Sequence, residues 1–224
     1  MLKKIQFDEK IPTIGNFQNI VNNKKTIIGI DLNDVVRSYS KQYIIYFNIA
    51  GINKTFNPDK IKYKGDDIYS PFVFSSKKEK ADFEESNYVF EILASAKPTH
   101  TTLPGTFNMW LNDLMDDFDD NVEVWFISPG EIHLQRQSTL FFLSKICSRV
   151  EHIWFPKTIK ETWDKFDVLI TANPKLLKDI PNDKITIKVN TEYNKKSNST
   201  YSYDSFMNII LSDNYDKIKS IIKN

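Results

Sequence analysis

The chain of 224 residues is 41% hydrophobic and 13% aromatic, and its 30 Lys and Arg against 29 Asp and Glu leave a formal net charge of +1. That length and apolar content suffice for one principal domain with a buried core, and they exclude a disordered chain. With no basic stripe to release counterions from a phosphate backbone, and no apolar run near the ~20 residues of a membrane-spanning helix, neither nucleic acid nor a membrane is an expected partner.

In chain order, residues 1–25 mix charge, Pro12 and Gly15 with Ile5, Phe7, Ile11, Ile14, Phe17 and Ile20, without a helical or strand period. Too polar for a core and too apolar for a solvated tail, they read as an N-terminal arm that packs on another surface, its own domain's or a protein partner's. TIIGID (26–31) then has the length and β-branched content of a strand. Four later runs share that character: VEVWFIS (122–128), VEHIWF (150–155), DVLIT (167–171) and KITIKV (184–189).

Roughly ninety residues separate the first run from the second, far more than the ~12 that a crossover needs, which marks an insertion. Within it, SKQYIIYFNIAG (40–51), EKADFEESNYVFEILASA (79–96) and GTFNMWLNDLMDDF (105–118) have helical spacing around the turn-rich NPDKIKYKGDDIYSP (57–71). Residues 38–120 are therefore expected to form a mainly helical cap. Helical segments IHLQRQSTLFFLSKICS (132–148) and KTIKETWDKF (157–166) separate the later strands, and YSYDSFMNIILSDNYDKIKSIIKN suggests one or two closing helices. Such β-α-β alternation calls for a parallel sheet with helices on both faces. The expected fold is α/β, a Rossmann-like three-layer α/β/α sandwich whose core domain comprises 26–37 and 121–224.

Three features read as structural. Cys147, the single cysteine, lies in an apolar stretch and is expected to be a buried thiol. His100, His133 and His152 are too scattered for metal-ligand spacing, and the acidic run at 113–121 lacks the glycine and closing glutamate of a calcium loop.

Ligands of open α/β sheets bind outside the carboxyl ends of the strands. That rule selects Asp31–Asp34, Ser128–Glu131, Pro156 with Lys157, and Thr171–Asn173. The order and character of these four loops, IIGIDLND, VWFISPGE, IWFPKTIKETW and DVLITANPKLL, resemble the haloacid dehalogenase superfamily, in particular its 5'-nucleotidase-like branch. The insertion stands where that family places its C1 cap, and IKVNTEYN resembles the strand and Tyr-Asn turn found after the fourth motif. The resemblance implies a sheet with 26–31 at its centre between 122–128 and 167–171, the third strand outside the second and the fifth outside the fourth.

The same resemblance implies Asp31 as nucleophile, position 33 as general acid/base, Ser128 and Lys157 as phosphate-binding groups, and Mg2+ as cofactor. Such chemistry parks a phosphoryl group on one carboxylate while a second acid protonates the leaving oxygen. The metal neutralises the phosphate so that the anionic nucleophile can approach it. Here the pattern is broken twice. Asn33 occupies the acid/base position, and an amide does not shuttle protons at neutral pH; Asp34, one residue on, points elsewhere. Thr171 and Ala172 stand where the family has its metal-binding acids, leaving Asp31 alone as a carboxylate for Mg2+.

Two readings therefore stand. In the first the domain has lost phosphatase chemistry, expects no cofactor, and serves as a structural, assembly or interaction protein. In the second it is a divergent Mg2+-dependent 5'-nucleotidase or small-phosphomonoester phosphatase. Retained phosphate or nucleotide binding without turnover lies between them, since Ser128, Lys157 and backbone N–H groups can hold an anion without metal. Richness in Lys, Asn and Ile suggests an AT-rich genome, a bacteriophage or its host, and so a cytoplasmic or virion location.

Overall fold

Six parallel strands, rich in Ile, Val, Thr and aromatics, form one sheet. They are β1 (Thr26–Asp31), β2 (Val122–Ile127), β3 (His152–Trp154), β4 (Val168–Thr171), β5 (Ile185–Val189) and β6 (Tyr201–Tyr203). The computed structural model describes residues 25–99, 104–117, 122–128, 133–147, 149–212, 216 and 220. The arm expected over 1–25 thus falls almost wholly outside the described residues.

The sheet order is β3-β2-β1-β4-β5-β6, so β1 is interior, with β2 on one side and β4 on the other, as its apolar character requires. Neighbours close tightly over it at Gly29, where a Cβ would lie 2.6 Å from Ile127 Cδ1 and 3.0 Å from the Cδ1 atoms of Leu169 and Phe166. Successive strand residues alternate between two apolar clusters. Ile28, Ile30, Val124, Phe126, Val168 and Ile170 pack with Phe107, Leu111, Phe142 and Leu143. Ile127 and Leu169 face the other way, onto Trp163, Phe166 and Leu176. Helices α4 (Pro104–Asp117) and α5 (His133–Ile146) supply the first cover and α6 (Ile159–Lys165) the second, which makes the three layers of a Rossmann-like sandwich.

Above the carboxyl ends of the strands, α1 (Tyr39–Ala50), α2 (Lys77–Glu84) and α3 (Asn87–Ala94) enclose a third cluster, built around Tyr43, Phe47, Phe72 and Phe83. Its rings meet mostly at an angle, Phe47 at 5.1 Å from Phe72 and 4.8 Å from Phe56, the arrangement that aromatic quadrupoles favour. Two connectors join this unit to the sheet and pair with each other: Ser38 N–H donates to Lys97 O (2.8 Å) and Thr99 N–H to Val36 O (2.9 Å). Within the inserted span the helices divide, because α4 gives Phe107 and Leu111 to the sheet's own cluster.

Two segments differ from the sequence expectation. The helical spacing over 79–96 is broken after Glu84, where Glu85 ends α2 and the Ser86 hydroxyl donates back to Phe83 O (2.6 Å). The tail begins with a strand: Thr200 N–H donates to Thr186 Oγ1 (2.9 Å) and Thr186 N–H to Thr200 Oγ1 (3.1 Å), pinning β6 alongside β5. Only then does the short α7 (Phe206–Ile210) start, capped by the Ser205 hydroxyl.

Candidate functional site

A cavity of about 420 Å³ opens at the carboxyl ends of the strands, beneath the cap. Asp31, Asn33, Ser128, Lys157 and Asn173 line its sheet side, and Tyr69 and Lys80 line its cap side. Residues scattered over 140 positions of sequence thus meet because parallel strands deliver all their carboxyl ends to one edge.

Asp31 ends β1 and is 4% exposed. One carboxylate oxygen accepts the Thr171 hydroxyl (2.8 Å) and the other the Asn33 N–H (3.2 Å). Burial pushes its carboxyl up to about 6, against the opposing pull of the Thr171 and Asn33 hydrogen bonds and the Arg37 charge. Thr171 is in turn fixed from below, its oxygen accepting the Asn173 N–H (2.9 Å).

Asn33 sits two residues on, its side-chain oxygen 2.7 Å from Arg37 Nε, which donates to it. Arg37 is fully buried. The same guanidinium donates to Ser128 Oγ (2.8 Å), to Thr139 Oγ1 on α5 (3.2 Å) and to the Leu93 carbonyl at the end of α3 (3.5 Å), and it lies 5.6 Å from the Phe142 ring centre. Burial draws it down to about 10, so it is a cation at neutral pH. Ser128, 0% exposed, also shares a hydrogen bond with Thr139 (3.1 Å). Arg37 is the one central residue that reading the loops missed. Its signal was a charged residue directly after the apolar pair in DVVRSYS.

Asp34 turns away from this cavity, as its neighbour position requires. Its backbone is left-handed (φ 57°), and its carboxylate accepts the Ser40 N–H (2.9 Å), the Ser40 hydroxyl (3.0 Å) and the Tyr193 hydroxyl (2.7 Å). It lines a second cavity, of about 650 Å³, between the start of α1 and the loop after β5. Burial raises the Asp34 carboxyl and, together with the Asp34 charge, lifts the Tyr193 phenol well above its ordinary value. The Tyr-Asn turn has a structural task here: Asn194 Nδ2 donates to both Ala172 O and Val189 O (2.9 Å each), tying the ends of β4 and β5 together.

Lys157 reaches the cavity rim but is exposed, in the turn that caps α6, where its N–H donates to Glu161 Oε2 (2.9 Å) and the Thr158 hydroxyl accepts the Glu161 N–H. Ala172 is buried and offers only its carbonyl, already taken by Asn194. Asp167 lies at the opposite end of β4, bonded to Ile27 N–H and Lys184, and Asp179 is exposed outside the cavity lining. The donor set does not fit Mg2+. Among the described lining residues only Asp31 and Glu84 are acidic, Glu84 is paired with Lys80 (3.6 Å), the Thr171 hydroxyl is committed to Asp31, and a guanidinium stands beside Asn33 where a hard dication would meet repulsion. Among the described residues no group of three or more His, Cys, Asp or Glu comes together.

No protein-family model matches this chain, and no curated protein does. Solved structures do. A β-phosphoglucomutase from Clostridium difficile superposes with a TM-score of 0.51 at 15% identity, over 89% of this chain and 100% of that one. A haloacid dehalogenase-like hydrolase from Bacteroides fragilis superposes with a TM-score of 0.50 at 11% identity, over 83% and 100%. At such identities the likeness establishes the fold, a six-stranded parallel α/β sandwich of the kind that haloacid dehalogenase-like hydrolases have. No helix among the described residues is long and apolar enough to cross a membrane.

Proposed function

We propose that the chain is a degenerate haloacid dehalogenase-type domain of the 5'-nucleotidase-like branch, with a C1-type cap, that has lost metal-dependent phosphatase chemistry and works as a structural, assembly or interaction protein. One observation carries this reading: the position of the general acid/base holds an amide already engaged by a buried guanidinium. General acid/base catalysis contributes about 10²- to 10⁴-fold, and losing the metal as well removes the charge neutralisation that phosphate attack needs. The composition favours a bacteriophage or its host as the setting, and the apolar residues of the arm at 1–25 favour a protein partner.

Hydrolysis of a panel of nucleoside monophosphates, with and without Mg2+, tests the loss of chemistry. Wild-type protein should match the no-protein background in both arms. Turnover that needs Mg2+ and disappears in Asp31→Asn would establish instead the alternative, a divergent Mg2+-dependent 5'-nucleotidase or phosphatase. The assembly role is tested by deleting residues 1–25: sedimentation should show a smaller species with unchanged melting of the domain, and an unchanged oligomeric state would remove the arm from assembly.

A second reading has its own observation, since Lys80, Lys157 and Lys175 all line the cavity around Asp31. Three cations against two carboxylates, Asp31 and the Lys80-paired Glu84, leave an excess of positive charge at one mouth that favours an anionic ligand held without turnover. A rise in melting temperature with phosphate or a nucleoside monophosphate, absent with sodium chloride of equal ionic strength, supports it, and no rise discards it.

A further inference from the structure

We infer that Arg37 is a built-in cation, which supplies from within the chain the positive charge that the strand-end carboxylates need and thereby keeps divalent metal out. The guanidinium is fully buried, and its four acceptors among the described residues, Asn33 Oδ1, Ser128 Oγ, Thr139 Oγ1 and Leu93 O, are all uncharged. A buried charge surrounded only by neutral acceptors is costly unless anions lie within reach. Asp31 and Asp34 are the carboxyls it serves: both are buried, three residues apart on the turn that leads into Arg37, and the guanidinium's charge pulls both down against the larger upward push of burial. The partnership is mutual, because each carboxylate is buried among hydrogen-bond donors that do not carry a charge.

The identity of residue 33 follows from the same geometry. An amide oxygen accepts the Nε–H at 2.7 Å without quenching the charge, which leaves the guanidinium's field for Asp31 and Asp34. A carboxylate in that place would be taken by the guanidinium as a charge-assisted pair and would not be available to a metal. Reintroducing acid at 33 therefore cannot by itself rebuild a metal site while Arg37 stands. A dication arriving beside Asp31 would meet both the guanidinium's repulsion and a hydroxyl that already donates to the carboxylate.

Mn2+ titration of the full chain, read by the loss of the free-ion EPR signal, tests this without any substrate, so its outcome is separate from that of the hydrolysis assay. Wild type and Asn33→Asp should leave Mn2+ free. The double variant N33D/R37Q, in which two carboxylates no longer face a buried guanidinium, should bind Mn2+ at least about tenfold tighter than N33D/R37K. Lys and Gln both lose most of the guanidinium's hydrogen bonds, and only Gln loses the charge, so a merely structural Arg37 would move the two variants alike. Equal Mn2+ affinity in N33D/R37Q and N33D/R37K overturns the inference, as does no gain in N33D/R37Q or tight binding by wild type. Should the Arg37 variants fail to melt cooperatively, N33D/T171D/A172D with Arg37 intact decides: with the carboxylates supplied, Mn2+ bound refutes the built-in cation, and Mn2+ left free upholds it.

Discussion

Ile30 and Asp31 are consecutive and almost equally buried, 0% and 4% exposed, yet they sit in regions built by opposite rules. Ile30 belongs to a cluster in which Phe126, Phe142 and Ile170 fill space and any partner of similar shape serves. Asp31 begins a knot in which every buried group needs one particular partner: Thr171 for its own oxygen, Asn33 and Ser128 for Arg37, Tyr193 for Asp34. Loss of an atom from the first region costs in proportion to volume, and loss from the second costs according to what is left unpaired. The polar knot also ties loops, cap and α5 together, a structural task that does not depend on turnover.

Truncation in the filled region should give the larger effect. Phe126→Ala removes a ring that is 1% exposed, and urea unfolding should show a loss of about 3–5 kcal/mol with the fold's cooperativity intact. Arg37→Met conserves apolar volume while stranding acceptors on Asn33, Ser128 and Thr139, so the same measurement should show about 2–4 kcal/mol. If Arg37→Met were neutral, the knot would be ordinary packing and the contrast would fail.

A smaller effect separates the regions by pH. The Asp31 carboxyl is raised from 3.8 to about 6 by burial, so the folded chain holds this proton more tightly than the unfolded chain does. Its contribution to stability is therefore greatest below about pH 4, declines as pH rises from there through about 6, and is level above that, a total of up to ~3 kcal/mol. Denaturation midpoints between pH 4 and 7 should show a decline that Asp31→Asn reduces and Phe126→Ala leaves in place. A slope indifferent to Asp31→Asn would mean that the carboxyl is not buried as described.

The filled region was legible in the sequence and the knot only in part. β1 to β5 were readable because continuous β-branched runs of strand length have few other uses, and the insertion because no crossover needs roughly ninety residues. β6 escaped because Tyr201–Tyr203 is short, alternates with serine and owes its place to a Thr186–Thr200 pairing that no local pattern encodes. Asp31, Asn33 and Ser128 were found because strand ends converge. What Asn33 does was not readable, since its partner is an arginine four residues on whose side chain goes inward only because loop, cap and α5 all offer acceptors. Lys157 lies in the loop after β3 at the cavity rim, and its exposed side chain leaves Ser128 and Arg37 as a buried polar pair of the crevice.

Whether Asp31 can still carry a phosphoryl group is read most directly by 19F NMR of the wild-type chain with beryllofluoride, a mimic of phosphate on a carboxylate. With Asn33 engaged by Arg37 and no acidic donors at Thr171 and Ala172, no protein-bound fluoroberyllate resonance should arise, with Mg2+ or without it. A bound resonance that requires Mg2+ and vanishes in Asp31→Asn would contradict the account and restore a working phosphoryl-transfer site.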